Sequence, residues 1–500
     1  MKSIPVDPFF SYASQFTLES VLFHITQIAF NLFNNTDDEQ SRFSDYQNYT
    51  VTINGHQRKY RVRLVQTWLI DCLYHVICFG KEGKRVISRD ETLYLIHLFC
   101  NYQNVKPKPY NRDNFLELLL YVNGFGGEQF KFENLHNFID GFSRENYILN
   151  TISRKKHPKN NSGIEFEQEF LSYTGLSPLA YSSMLFWIFT CFATNGSRLR
   201  IDNIKIPQFE LSGIEAIIEK YSCTLEEIQK SSLQRQILYK QPIIKLNGYY
   251  IASNPFLMIA LFANSNYWVM RDKYLHTNNN KQKFVNVFGC YFELYFEEIL
   301  ENCLPAGSFK NIPEGNGKRA DWLIRLNDTT FLIEQKSSLS MLGIKQSEPD
   351  IALLKKHIVK NWGEAVEQLD STEKALEISN AIKIVLVYEN YYLGGCFELL
   401  FEVKPELQKI NNQRFWFVNI DEFEMMMITY KHNPELFFEI VQEKLALDLS
   451  ETEAGQDLTA LLSKRGVFKN EYLDEFGISN QFYQISDFLH KTRINRVSPA

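Results

Sequence analysis

The segment Arg319 to Lys336 constrains this chain more than any other. It reads Arg-Ala-Asp-Trp-Leu-Ile-Arg-Leu-Asn-Asp-Thr-Thr-Phe-Leu-Ile-Glu-Gln-Lys, two largely apolar runs on either side of Asn327-Asp328. Asn and Asp tolerate positive φ better than most residues, so the pair predicts a two-residue turn and the runs an antiparallel hairpin. That turn sets Trp322 opposite Ile333 and Asp321 opposite Glu334. Side chains alternate along a strand, so Thr330, Leu332, Glu334 and Lys336 share one face, and Phe331, Ile333 and Gln335 the other. Two carboxylates directly opposed, with Cβ atoms roughly 5 Å apart, repel and destabilise a sheet. A divalent cation between them removes that objection, so the pattern predicts a metal site at Asp321 and Glu334.

Glu-x-Lys alone is not specific. It recurs at Glu82-Gly83-Lys84 and Glu402-Val403-Lys404. The latter has no Asp on an upstream hairpin partner and runs into Pro405. The former is bracketed by Gly80 and Gly83, which predicts a turn. The flanks of Arg319–Lys336 carry the distinction. Upstream, Phe288, Phe292, Tyr295 and Ile299 recur at helical spacing, with Gly289, Glu293 and Glu297 on another face. Downstream, Ile351, Leu354, Ile358, Trp362, Ala365 and Leu369 predict a second amphipathic helix carrying Lys355, Lys356, Lys360 and Gln368. Ala381 to Tyr388 then reads as a buried, β-branched strand. With a strand at about Ser308 to Ile312, the expected order is helix, three strands, helix, strand.

In that order and with those residues, the chain resembles the PD-(D/E)XK nuclease superfamily, whose restriction-endonuclease-like fold has an αβββαβ core. The resemblance spans about residues 284–420, with Ala320 where the family's name-giving Pro stands. It implies that Asp321, Glu334 and Lys336 are catalytic, and that Asp321, Glu334, the main-chain carbonyl of Gln335 and Glu293 are metal ligands. Gln368 and Lys356 would position the substrate phosphate. Hard oxygen ligands suit Mg²⁺, with Mn²⁺ as a substitute. Lys336 is expected to orient water and stabilise charge, since anionic neighbours favour the protonated form of a lysine. The implied activity is metal-dependent phosphodiester hydrolysis, on DNA rather than RNA, in a setting such as bacterial restriction or anti-phage defence. Two alternatives stand beside it: a non-catalytic relative that binds nucleic acid or a partner subunit, and a ligand-sensing or assembly module led by the N-terminal region.

Five hundred residues predict more than one core. The expected fold class is α/β (α+β), in three parts. Residues 1–280 form a mainly helical N-terminal region with β-hairpins at Asn54-Gly55 and Asn247-Gly248. Residues 281–421 form the nuclease core, and 422–500 a short helical C-terminal cap, with helices at Glu435–Leu447 and Asp457–Lys464. Asn278 to Lys283 reads as a linker. The net charge of −6 does not suggest nonspecific coating of nucleic acid, so a nuclease of this charge must concentrate its basic residues near the site or rely on a partner. Three local basic clusters exist: Arg58 to Arg63, Arg154 to Lys159, and Lys355-Lys356. Each reads as a solvated face or loop rather than a nucleic-acid groove; the first, with Tyr60 interleaved on a predicted hairpin, is the best of the three.

Eight cysteines without a Cys-x-x-Cys pair predict no zinc or iron–sulfur site and a reducing cytoplasm. The charge-free stretch Phe170 to Ser197 has too short a dense apolar part for a membrane span and is expected to be a buried helix. The partners expected are a nucleic-acid substrate, no membrane, and either further copies of the chain or a defence-system protein. Gly124 to Gly127 lacks the context of a phosphate loop.

Overall fold

Tight turns at Gly55 and at Asn247-Gly248 join the N-terminal hairpins. The computed structural model describes residues 7–35, 39–53, 55–80, 83–105, 135–159, 164–204, 209–263, 265–275, 280, 282–313, 319–337, 339, 344, 350–389, 396–410, 414–448 and 458–494. Strands β1 (Ser44–Ile53) and β2 (His56–Val65) pair residue for residue from Ser44↔Val65 to Ile53↔His56, with Gly55 at φ 78° in the turn. Helix α1 (Arg89–Val105) packs on one face of this ribbon. A second sheet collects β3 (Arg198–Leu199), β4 (Ser222–Thr224), β5 (Ile243–Leu246) and β6 (Tyr249–Ala252) in the order β3-β6-β5-β4. Its β5–β6 turn puts Asn247 at φ 49° and Gly248 at φ 76°, the two positive angles a type I′ turn requires. Gly124 to Gly127, Glu82 and half of the expected linker lie outside the described residues.

The third sheet holds the expected hairpin. Its strands are β7 (Phe309–Asn311), β8 (Trp322–Leu326), β9 (Thr329–Lys336), β10 (Ile382–Val387) and β11 (Phe415–Asn419), in the order β11-β10-β9-β8-β7. Strands β7, β8 and β9 pair antiparallel with one another, while β10 lies parallel to both β9 and β11. Trp322 faces Ile333 and Asn327 takes φ 50°, so register and turn agree with the sequence reading. Strand β11 is an addition to it.

Both faces of this sheet are covered. Phe331, Ile333, Trp322, Ile324 and Ile384 join a core shared with α2 (His136–Asn150), α3 (Lys283–Cys303) and the C-terminal helices. Leu323, Leu332 and Val385 join a smaller core under α4 (Ile351–His357) and α5 (Glu364–Ala375). The expected second helix is therefore present, but a π-helical turn, Ile358–Gly363, divides it. Beyond β11 come α6 (Ile420–His432) and further helices, including Pro434–Asp448 and Leu458–Lys464 at the two expected sites. The larger core runs from Phe9 to Leu489, so apolar packing is continuous across both residue 280 and residue 422.

The chain is thus mixed α/β with several small sheets and no barrel among the described residues. No single helix there is long and apolar enough to cross a membrane. Phe166–Thr174 and Pro178–Thr194 meet that length and composition only as a pair bent by 52°. Most of Pro178–Thr194 is buried in the core, as expected for that stretch.

Candidate active site

Alternation along β9 puts Glu334 and Lys336 on the face that packs toward α5, and Gln335 on the opposite face beside Trp322. The Trp322 indole N–H donates to Gln335 Oε1 at 2.9 Å, which fixes that side chain away from the charged residues. Glu334 is only 3% exposed. Its Oε1 accepts from Lys336 Nζ at 2.7 Å, and its Oε2 has no hydrogen-bond partner. Lys336 Nζ also lies 3.4 Å from Gln368 Oε1 on α5. Gln368 Nε2 in turn donates to the Arg319 carbonyl at 3.3 Å, tying the helix to the approach of β8. Four residues singled out by sequence are therefore brought together: Asp321, Glu334, Lys336 and Gln368.

Asp321 departs from the expected geometry. The ladder between β8 and β9 ends at Trp322↔Ile333, and Asp321 does not pair with Glu334. Instead its N–H donates to the Ile333 carbonyl at 3.0 Å, and its Oδ2 accepts from the Gln335 N–H at 2.7 Å. The physical reason is an unmet donor: past Trp322 nothing on β8 remains to receive the Gln335 N–H, and an Asp side chain turned back onto the strand does so. The carboxylates still sense one another. Burial, and after it the charge of Asp321, pushes Glu334 up to about 8, against the opposing pull of Lys336. Gln368 lies near enough to soften that shift without meeting hydrogen-bond geometry at Oε2. Burial raises Asp321 to about 6; the Gln335 N–H works against the rise and the charge of Glu293 adds to it.

The main-chain carbonyl of Gln335 is aimed usefully. The Lys336 carbonyl accepts from Tyr388 N on the β10 side, at 3.0 Å. Successive carbonyls alternate across a strand, so that of Gln335 is directed to the side where Asp321 sits.

Glu293 reaches the cluster from α3, where a bare Gly289 makes room: a Cβ there would lie 3.2 Å from Ser337 Oγ, just beyond Lys336. Glu293 Oε1 accepts from Asn311 Nδ2 on β7 at 3.0 Å. Its Oε2 lies 3.2 Å from His157 Nε2 and 3.8 Å from Lys159 Nζ. The Lys159 N–H donates to His157 Nδ1 at 3.1 Å, which leaves Nε2 to carry the ring proton toward Glu293. Lys155 pairs with Glu298, one helical step further along α3, at 2.5 Å. The run Arg154 to Lys159, read from sequence as a solvated loop, thus docks on the acidic edge of α3. The excess of Glu293, Glu297, Glu298 and Glu301 on one helix was the signal that could have found it. Lys356, by contrast, is exposed on α4, and no hydrogen bond or ion pair joins it to the cluster among the described residues. The expectation that it positions phosphate has no geometric support.

No group of three or more His, Cys, Asp or Glu in metal-holding geometry occurs among the described residues. The oxygen donors that the fold brings near one another are the carboxylates of Asp321 and Glu334, with the Gln335 carbonyl on the Asp321 side of β9. No protein-family model, curated protein or solved structure matches the chain.

Proposed function

We propose that this chain is a metal-dependent nuclease that hydrolyses phosphodiester bonds, with DNA as its substrate and a restriction-endonuclease-like core at about 284–420. The observation that carries this reading is Glu334 Oε2. A buried carboxylate oxygen without a partner among the described residues is costly, and here it lies near a second carboxylate and a lysine. The donor set fits Mg²⁺ or Mn²⁺. These ions keep several waters and bind through one or two carboxylates plus substrate phosphate, so a larger protein cage is not required.

A divalent cation bound there would lower the pKa of a water molecule and offset charge on the phosphate. Asp321 and Glu334 would hold it, with the Gln335 carbonyl between them. Lys336, its ammonium held between Glu334 and Gln368, orients the attacking water and stabilises developing negative charge. Gln368 holds Lys336 and the Arg319 turn together. Glu293 would have to exchange its Asn311 and His157 partners to hold a second cation.

The test is incubation of the purified full chain with DNA and with RNA, in Mg²⁺, Mn²⁺ or EDTA. Cutting of DNA with either metal and none in EDTA is expected. Cutting that persists in EDTA, or no cutting under any condition, overturns the reading.

A further inference from the structure

The ribbon β1–β2 has two unlike faces. One is apolar: Tyr49, Val51, Val62 and Leu64 are buried against the body of the protein. The other presents Lys59, Arg61 and Arg63 to solvent, at alternate positions of β2 and so roughly 7 Å apart along the strand. Their cross-strand partners on β1 are Thr50, Asn48 and Tyr46.

We propose that this face binds the sugar–phosphate backbone of nucleic acid. Three like charges in a row repel one another, and an acid at position 46, 48 or 50 would relieve the repulsion through a cross-strand pair. In a chain with 59 Asp and Glu and a net charge of −6, none stands there. Nor does any of the three cations form an ion pair with a carboxylate among the described residues. The acids at the ribbon have other partners: Asp90 accepts the Thr50 N–H and pairs with Arg89, and Asp45, on β1 itself, accepts the Tyr46 N–H and the Gln47 side-chain amide. The neutral partners are themselves hydrogen-bonding groups. Tyr46 is half exposed, with the Arg61 guanidinium 4.3 Å from its ring centroid, a combination that suits stacking beside a phosphate contact. A regular row of cations across from polar groups matches a polymer with regularly spaced phosphates. A membrane-binding face would carry a band of apolar residues, which this one lacks. The choice of nucleic acid among polyanions rests on the nuclease reading.

The experiment is a titration of fluorescently labelled duplex DNA, single-stranded DNA and single-stranded RNA with the full chain in EDTA, over 50–200 mM salt. It compares wild type with the triple variant Lys59→Gln, Arg61→Gln, Arg63→Gln, whose folding is checked by melting. The triple variant should bind at least one of these polymers tenfold or more weakly. The slope of log affinity against log salt should shrink by about 2–3, as three lost phosphate contacts require. Unchanged affinity and slope in a folded triple variant overturn the proposal. So does a wild type that ignores all three polymers, or one that binds anionic vesicles through these residues instead. The two readings fail separately. A chain that binds through the ribbon and never cuts removes the nuclease reading alone, and one that cuts with the ribbon neutral at no loss of binding removes this one alone.

Discussion

Two buried charge clusters in this molecule are built from the same groups and finished differently. In the first, Arg144 of α2 meets Asp421 and Glu424 of α6. Both oxygens of Glu424 are doubly held: Oε1 by Arg144 Nε at 2.7 Å and Tyr295 Oη at 2.6 Å, Oε2 by Arg144 Nη2 at 2.7 Å and Asn470 Nδ2 at 2.5 Å. In the second, Glu334 has one lysine on one oxygen and, among the described residues, no partner in hydrogen-bond geometry on the other. A carboxylate that serves only the fold can be given every partner it needs, because its surroundings never change. One that must take up a cation or a phosphate has to leave acceptor capacity unmet until the ligand arrives. The difference sets Glu334 apart from Glu424 but not from Glu145, whose Oε2 is likewise unpartnered among the described residues; what marks Glu334 is the second carboxylate and the lysine beside it.

The comparison can be broken in several ways. The largest effect expected is on cleavage: Asp321→Ala or Glu334→Ala should abolish cutting yet leave the fold intact, since each removes one of two neighbouring carboxylates. A cleavage assay beside a melting curve decides it; full activity in either variant removes the site, and unfolding in both makes the cluster structural. Next comes Arg144→Met. It leaves Asp421 and Glu424 buried without their cation, at a cost of about 3–5 kcal/mol. Urea unfolding measures this, and a loss below about 1 kcal/mol would erase the contrast.

Lys336→Ala should lower the cleavage rate by about 10² or more while calorimetric Mn²⁺ binding persists, because the ligands stay in place. Lys336→Arg should rescue poorly, since a planar fork does not replace a compact ammonium. A Lys336→Ala protein cutting at nearly the wild-type rate would return Lys336 to an ordinary strand position. The smallest effect is on pH. A carboxyl raised to about 8 on folding holds its proton more tightly in the native chain than in the unfolded one. The stability it contributes is complete below its ordinary value near 4.5 and is lost as pH rises through about 8. In EDTA, then, wild type should lose stability over that window and Glu334→Gln should lose less. Glu145, also raised to about 8, is common to both proteins and cancels in the difference. Parallel curves would place Glu334 in an ordinary carboxylate environment.

What the sequence revealed and what it hid divide along the range of the forces involved. The β8–β9 register followed from Asn327-Asp328 and the alternation of Leu332, Ile333 and Glu334, which are local. The turn of Asp321 away from the ladder did not, because it answers a backbone donor on another strand. Glu293 was legible from helical spacing and from Gly289 beside it. His157 and Lys159 were not, since a basic run in a loop has no internal pattern that says which acidic surface it will meet. The apolar Phe415 to Val418 was passed over as a strand because its partner, β10, lies a helix away in sequence.

His157 has one more consequence. The residue that grips Glu293 belongs to a part of the chain more than a hundred positions upstream, and Arg144, a few residues before it, is sealed against a helix near the other end. A gene fragment beginning near codon 280 would encode every oxygen ligand proposed here and still yield a damaged protein, its Glu293 released and its largest core laid open. The candidate site is therefore not a cassette: its surroundings are assembled from residues far apart in the chain.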